Sequence, residues 1–236
     1  MLCLATYSTA FPSELRPIAF NAATDDHALE HLRDALVAWN PYAAALLGTT
    51  QAVDLISGGV KVNALPESAA AVVNHRIAEH SSVGELQKYL TDLLTPVATL
   101  FNLSVNAFGQ AADTASESAG ELILSDAWGT ALEPSPITPT HDNGPWKLLS
   151  GTIKATVHGE SHGYDAVVIP SLATGNTDTR WYWNLTRHIF RYTHRDSGDM
   201  KNGAHTVNEA VRARSMITEL RFFTKLILNA DETTLL

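Results

Sequence analysis

Several stretches place side chains capable of chemistry at suggestive spacings. In KNGAHTVNEAVRA, 201–213, a single histidine, His205, stands between a glycine turn and a run that reads as a first helical turn. Thr206 and Asn208 can cap that turn, and Glu209 suits the positive end of a helix. The imidazole is either a metal ligand in need of partners or a histidine beside a helix start. GESHG, 159–163, matches the G-x-S-x-G nucleophile elbow after a strand-like run. That motif requires a sharp turn into a helix, whose amides stabilise an oxyanion. YDAVVIPSL follows, strand-like and carrying Pro170, so a glycine-rich hairpin turn fits better and a serine hydrolase ranks last among the functional readings. His194-Arg195-Asp196 has the His-x-Asp form that can begin a zinc site, but SGDMKNG after it reads as a polar loop. HExxH, CxxC and adjacent glutamates are all absent.

Two further stretches carry anion-binding groups. GGVKVNALPESAAAVVNHRI sets Asn63 just before a turn and Arg76 on the following strand. An arginine in an otherwise apolar strand costs free energy unless its fork meets an anion. The alternative is an exposed strand face carrying Asn74 and Arg76 together. ATGNTDTRWYWN, with Gly175, Asn176, Thr177 and Asp178, is a loop ahead of a helix start, where free amides can hold an anion. Ordinary capping by Asp178 is its other reading.

The elements that must position these residues follow from periodicity and punctuation. DDHALEHLRDALVAW, 25–39, has leucines at helical spacing and acidic residues at its start. AVDLISGGVKVN and SAAAVVNHRIAE read as strands split by Gly58-Gly59 and Pro66. Ser82 and Glu85 form a capping box for LQKYLTDLLTPVATL, which Pro96 can kink. LSVNAFG, 103–109, closes an α+β unit as a strand. QAADTASESAGE, 110–121, reads as a surface loop or linker, and ALEPSPITPT, with three prolines, as extended chain. TIKATVHG and DAVVIPSL read as strands, DTRWYWNLTRHIF as a short helix and then a strand ending in RYTH. A long helix is expected from about Asn208 to Asn229.

Composition excludes several classes. The 236 residues are 45% apolar and 17% charged, enough for a core and unlike a disordered chain. A net charge of −9 with scattered Lys and Arg argues against nucleic acid. No apolar run reaches the roughly 20 residues of a membrane span. The opening MLCLATYSTAF lacks the pattern of a secretory signal. One cysteine, Cys3, permits neither an internal disulfide nor a cysteine metal cluster. Two glycosylation sequons occur, Asn102-Leu103-Ser104 and Asn184-Leu185-Thr186.

In series, TTQAVDLISGGVKVNALPESAAAVVNHRI, ALEPSPITPT with LLSGTIKAT, TGNTDTRWYWNLTRHIFRY and AHTVNE resemble the C-terminal portion of the carboxypeptidase S group. That group is similar to aminoacylase, acetylornithine deacetylase and succinyl-diaminopimelate desuccinylase within one zinc metallopeptidase family. The resemblance implies an α/β zinc domain interrupted by a smaller α+β, ferredoxin-like lid through which many members dimerise. On that plan residues 1–109 are the lid without its first strand and helix, and 110–236 the C-terminal half of the catalytic domain. It implies that His205 is the last zinc ligand of a two-zinc site, and that Asn63 and Arg76 bind the substrate's carboxylate and polarise the scissile carbonyl. Gly175, Asn176, Thr177 and Asp178 would line the site near the substrate. The substrate would be a peptide or N-acyl amino acid with a free carboxylate, and the setting vacuolar or secretory. The remaining zinc ligands and the general base are expected upstream of the lid, making this chain an N-terminally truncated form inactive alone, since a zinc site needs about three protein ligands. A catalytically dead, lid-type association protein is the alternative.

Overall fold

The computed structural model describes residues 1–111, 117–160, 165–172, 176–204 and 206–236, with Ser197 described by its backbone alone. The chain mixes helix and strand and forms two compact units: Thr24–Pro134, and Met1–Ala23 together with Ser135–Leu236. This differs from the expected division after residue 109. The physical reason is strand pairing: the segment after 109 supplies two strands to the sheet built on Leu103–Ala107. The break falls instead inside the proline-rich ALEPSPITPT, which forms no regular element.

The unit Thr24–Pro134 follows the sequence expectation closely. Helix α3, Asp26–Trp39, follows α1, Leu2–Tyr7, and α2, Arg16–Asn21, of the other unit. Asp25 caps α3 by accepting the His27 amide, and Leu32 and Leu36, one turn apart, are its buried stripe. After α4, Tyr42–Leu47, strands β1, Thr50–Gly58, and β2, Ala69–Arg76, form an antiparallel ribbon. Its register runs from Thr50↔Arg76 to Gly58↔Ala69, with an irregularity between Val53 and Leu55. The Ala78 amide donates to Thr49 Oγ1 at the open end. Helix α5, Val83–Leu100, starts where Ser82 accepts the Glu85 amide. It packs on β3, Leu103–Ala107, burying Ala98 against Val105 and Ala107. The pairing of β3 is antiparallel with β4, Gln110–Ala111, and parallel with β5, Gly120–Leu124. β4 and the first two residues of β5 fall in the stretch 110–121 read as loop or linker.

The second unit departs further from expectation. Its N-terminal helices α1 and α2 are tied by Arg16, whose guanidinium donates to the carbonyls of Ala5, Ser8 and Phe11. TIKATVHG, expected as a strand, lies within helix α6, Gly144–Glu160. Its buried residues Leu149, Thr152, Ile153 and Thr156 fall on one face at helical spacing. Thr152 and Thr156 return their hydroxyls to the carbonyls four residues back, which lets β-branched polar residues sit in a buried helix. DAVVIPSL and HIFRYTH form no ladder among the described residues. Their apolar residues pack on the helices: Val168, Phe190 and Tyr192 lie against Leu149, Ile153 and Phe222. DTRWYWN contributes only a 3₁₀ turn, Asp178–Tyr182. The final helix α7, Ala213–Glu232, begins later than expected. Ahead of it, β6, Met200–Lys201, pairs with β7, Ala210–Val211. Asn229 on α7 donates to Thr152 Oγ1 on α6, fastening the two helices.

Candidate functional site

His205 and Gly175 lie outside the described residues, as do Thr174 and Ser161 of the GESHG stretch. Their flanks are defined. The run Gly159-Glu160 ends helix α6, so the stretch is entered from a helix and not from the strand that a nucleophile elbow requires. The residues on either side of His205 belong to the β6–β7 connection rather than to a helix start. Three of them hold positive φ, Asn202, Gly203 and Asn208, where an asparagine or glycine is tolerated. Asn202 Nδ2 donates to the Asn208 carbonyl at 2.8 Å, and Thr206 Oγ1 donates to the carbonyls of Asn202 and Gly203. The loop is therefore cross-braced by its own side chains. Thr206 serves this brace and not a helical cap.

That connection is anchored through Asp199, a residue the sequence reading passed over. Asp199 is 3% exposed and receives Arg214 Nε at 2.8 Å and Ser215 Oγ at 2.6 Å. Its carbonyl accepts the Arg212 amide, which joins the foot of β6 to the start of α7. The Arg214 guanidinium, then the Ser215 hydroxyl, holds this carboxyl below the usual aspartate range, and Asp199 in turn raises Arg214. Only the spacing of an acidic residue to a downstream Arg-Ser pair could have signalled this clamp.

His194, expected in a polar loop, is a core residue at 5% exposure. Its ring stacks on Phe222 with centroids 5.1 Å apart, Nδ1 lies 2.8 Å from the Tyr192 hydroxyl, and Nε2 lies 3.2 Å from Glu160 Oε2. The ring thus bridges the phenol of Tyr192 and the carboxylate of Glu160. Burial, with the Glu160 charge second, raises the Tyr192 hydroxyl above the usual tyrosine range. This chain links the end of α6 to the segment leading into Asp199. Asp196 caps the next turn by accepting the Gly198 amide. Beside it, Pro145, Leu149, Phe190, Tyr192, Phe222 and Leu226 line an open apolar cleft of about 610 Å³.

The loop Asn176–Asp178 is organised by Asn176. Its Oδ1 accepts the Thr177 amide at 2.8 Å and the Thr179 hydroxyl at 2.6 Å. Thr177, at the N-cap of the 3₁₀ turn, makes no side-chain cap bond. All three residues from Asn176 to Asp178 are exposed.

In the other unit, Asn63 and Arg76 are exposed and occupy opposite ends of the β1–β2 ribbon. Arg76 pairs with Thr50 at the open end, whereas Asn63 lies in the connection that closes the other. From Ala69 to Arg76 the strand alone spans about 23 Å at the usual rise per residue. The ribbon does not bring these two side chains together. Among the described residues, no cluster of three or more His, Cys, Asp or Glu side chains could hold a metal ion.

Residues 12–99 match the family model of the peptidase dimerisation domain. The chain carries that domain. Its resemblance to carboxypeptidases extends further, over nearly the whole sequence. It is 29% identical to carboxypeptidase S of Saccharomyces cerevisiae, over 98% of this chain and 40% of the relative. An uncharacterized carboxypeptidase of Schizosaccharomyces pombe is 36% identical over 78% of the chain and 30% of its own length. An N-fatty-acyl-amino acid synthase/hydrolase of Homo sapiens is 29% identical over 81% and 33%. The chain thus spans about 40% of the length of the first of these relatives. No solved structure matches it.

Proposed function

We propose that this chain is the lid and C-terminal part of a zinc-dependent exopeptidase or amidohydrolase acting on peptides or N-acyl amino acids with a free carboxylate. The observation that carries this reading is the match to carboxypeptidase S along 98% of the chain. In this reading Arg76 holds the carboxylate by its guanidinium fork, which selects chain ends over internal peptide bonds. Asn63 hydrogen-bonds the scissile carbonyl. Gly175, Asn176, Thr177 and Asp178 border the substrate, with Asn176 fixing the backbone of its own loop. His205 contributes one imidazole to the metal site. Because one imidazole is far short of a zinc site's donor set, the 236 residues by themselves do not turn over substrate. A vacuolar or secretory setting accompanies the reading.

The test is binding of an N-acyl dipeptide and of its C-terminal amide to the 236-residue chain, alongside a zinc-supplemented hydrolysis assay. The acid binds more tightly than the amide and neither is cleaved. Equal binding of acid and amide defeats the carboxylate assignment, and turnover with stoichiometric zinc defeats the inactivity.

Homodimerisation through the β1–β2 ribbon is proposed with it. Val53, Leu55 and Ile56 are exposed on this two-stranded element, Ile56 to 79%, and an isolated ribbon is marginal in water. Sedimentation at increasing concentration shows a dimer that Ile56→Asp dissociates. A wild-type chain that stays monomeric to high micromolar concentration removes this partner.

A further inference from the structure

After α7 the chain turns back on the start of α6. Asn229, in the last turn of α7, holds that helix to α6 by donating from Nδ2 to Thr152 Oγ1. Thr233 then leaves helical geometry at φ −83° and ψ 149°, and its hydroxyl accepts the Leu235 amide at 3.2 Å, which bends the segment 233–236. The bend lays the Leu235 carbonyl against Gly144, the first residue of α6. A β-carbon at Gly144 would fall on that carbonyl oxygen, and would meet the carbonyl carbon at 2.8 Å and the Leu235 β-carbon at 3.4 Å. The nearest of these atoms are backbone, which has no rotamer to turn away. Gly144 is not one of the glycines at positive φ, so space and not backbone conformation excludes a side chain there. The helix start is otherwise ordinary, with Asn143 Oδ1 accepting the Trp146 amide at 3.0 Å. The two leucines fall on either side of the contact. Leu236 lines the apolar cleft with Pro145 and Leu148, and Leu235 borders an adjoining hollow of about 330 Å³ with Gly151 and Asn229. Leu235 is 46% and Leu236 69% exposed, so the seat is shallow.

We propose that residues 233–236 form a releasable strap, seated on Gly144, that closes one end of the α6–α7 cleft. Seated, the strap adds Leu236 to the cleft wall that holds Pro145 and Leu148, and keeps part of that wall from water. Released, it gives up only the part-buried surface of two leucines, a small term beside the burial of Phe222 and its neighbours. The Asn229–Thr152 bond keeps the two helices together and acts as the fixed side of the hinge. The strap itself is the occupant of that end of the cleft. A shallow seat that depends on the shape of one glycine opens without unfolding either helix. The inference is independent of the hydrolase reading, because it uses only α6, α7 and the segment after them.

The 236-residue chain provides the test, with Gly144→Ala set against Gly151→Ala, because a β-carbon at Gly151 meets nothing within 4 Å. Alanine is the better helix former at both positions, so a loss confined to one reports the seat. In Gly144→Ala the Leu235 and Leu236 methyl resonances shift to random-coil positions, as the released population rises about tenfold; in Gly151→Ala they stay. Binding of anilinonaphthalenesulfonate rises in Gly144→Ala and in a chain lacking residues 234–236, and combining the two changes adds nothing further. Amide protection of α6 is kept throughout. Unmoved methyl signals in Gly144→Ala, or equal movement in Gly151→Ala, overturn the seat. Dye binding that ignores the loss of 234–236 overturns the closure. Dye effects that add, or α6 protection lost in Gly144→Ala, mark damaged packing in place of a released strap and overturn the proposal as well.

Discussion

Phe222→Ala probes the packing that carries the second unit. Phe222 is 1% exposed and packs with Leu149 and Ile153 of α6. Its ring meets Tyr192 edge-on at 5.0 Å and stacks on His194 at 5.1 Å. Truncating a buried phenylalanine costs about 3–5 kcal/mol, and three aromatic neighbours, Phe223 among them, favour the upper part of that range. The open cleft alongside lets the void relax or hydrate, which brings the figure to about 4 kcal/mol. At 1.36 kcal/mol per decade, that is about a thousandfold rise in the opening equilibrium of the unit. Amide hydrogen exchange read by mass spectrometry resolves the two units separately. Protected amides of α6 and α7 exchange about a thousandfold faster in Phe222→Ala, while those of α5 in the other unit keep their rates. Ile217→Ala, at a residue of α7 that is 53% exposed, serves as the control with less than about a tenfold effect. Equal acceleration by the two variants, or α5 amides that speed up with α6, refutes the packing argument.

Other expectations are briefer. Asp199 has a lowered folded-state pKa, so its contribution is present above the unfolded value near 3.8 and is lost as pH falls through the folded value. Exchange protection at the start of α7 therefore drops on acidification below about pH 4, and Asp199→Asn lowers protection at pH 7 and removes that acid limb. Ser82→Ala, which deletes the acceptor of the Glu85 amide, destabilises α5 by about 1 kcal/mol, seen as faster exchange in its first turns. Arg76→Lys replaces a planar fork by a point charge and weakens binding of the N-acyl dipeptide acid by about tenfold without changing the amide's binding; isothermal titration of both ligands reads the difference.

Local chemistry made half of this chain legible. Helices α3 and α5 declared themselves through Asp25 and Ser82, because a cap residue before an apolar stripe has few other uses. The β1–β2 ribbon followed from β-branched runs around Gly58-Gly59 and Pro66. Helix α6 was misread because Thr152, Ile153, Thr156 and Val157 favour strands, although 149, 152, 153 and 156 already form a helical stripe. Strand β5 was missed because a parallel partner that pairs Leu103 with Gly120 leaves no local signature. The site divided in the same way. Asn176 bonds to residues one and three positions on, whereas Asp199 and His194 act through Arg214, Ser215 and Glu160, remote in sequence. His194 looked like loop because polar residues follow it; a ring stacked on Phe222 is a tertiary fact.

The interleaving of the two units has a consequence on the ribosome. Residues 24–134 are contiguous and can fold as soon as they emerge, but α1 and α2 belong with a unit that ends at Leu236. At 5–20 residues per second, those first helices wait about 10 s or longer for the rest of their unit. During that interval Phe11, Leu15 and Ala19, buried in the finished unit, lack the rest of their surroundings. Chaperone dependence during translation should concentrate on α1 and α2.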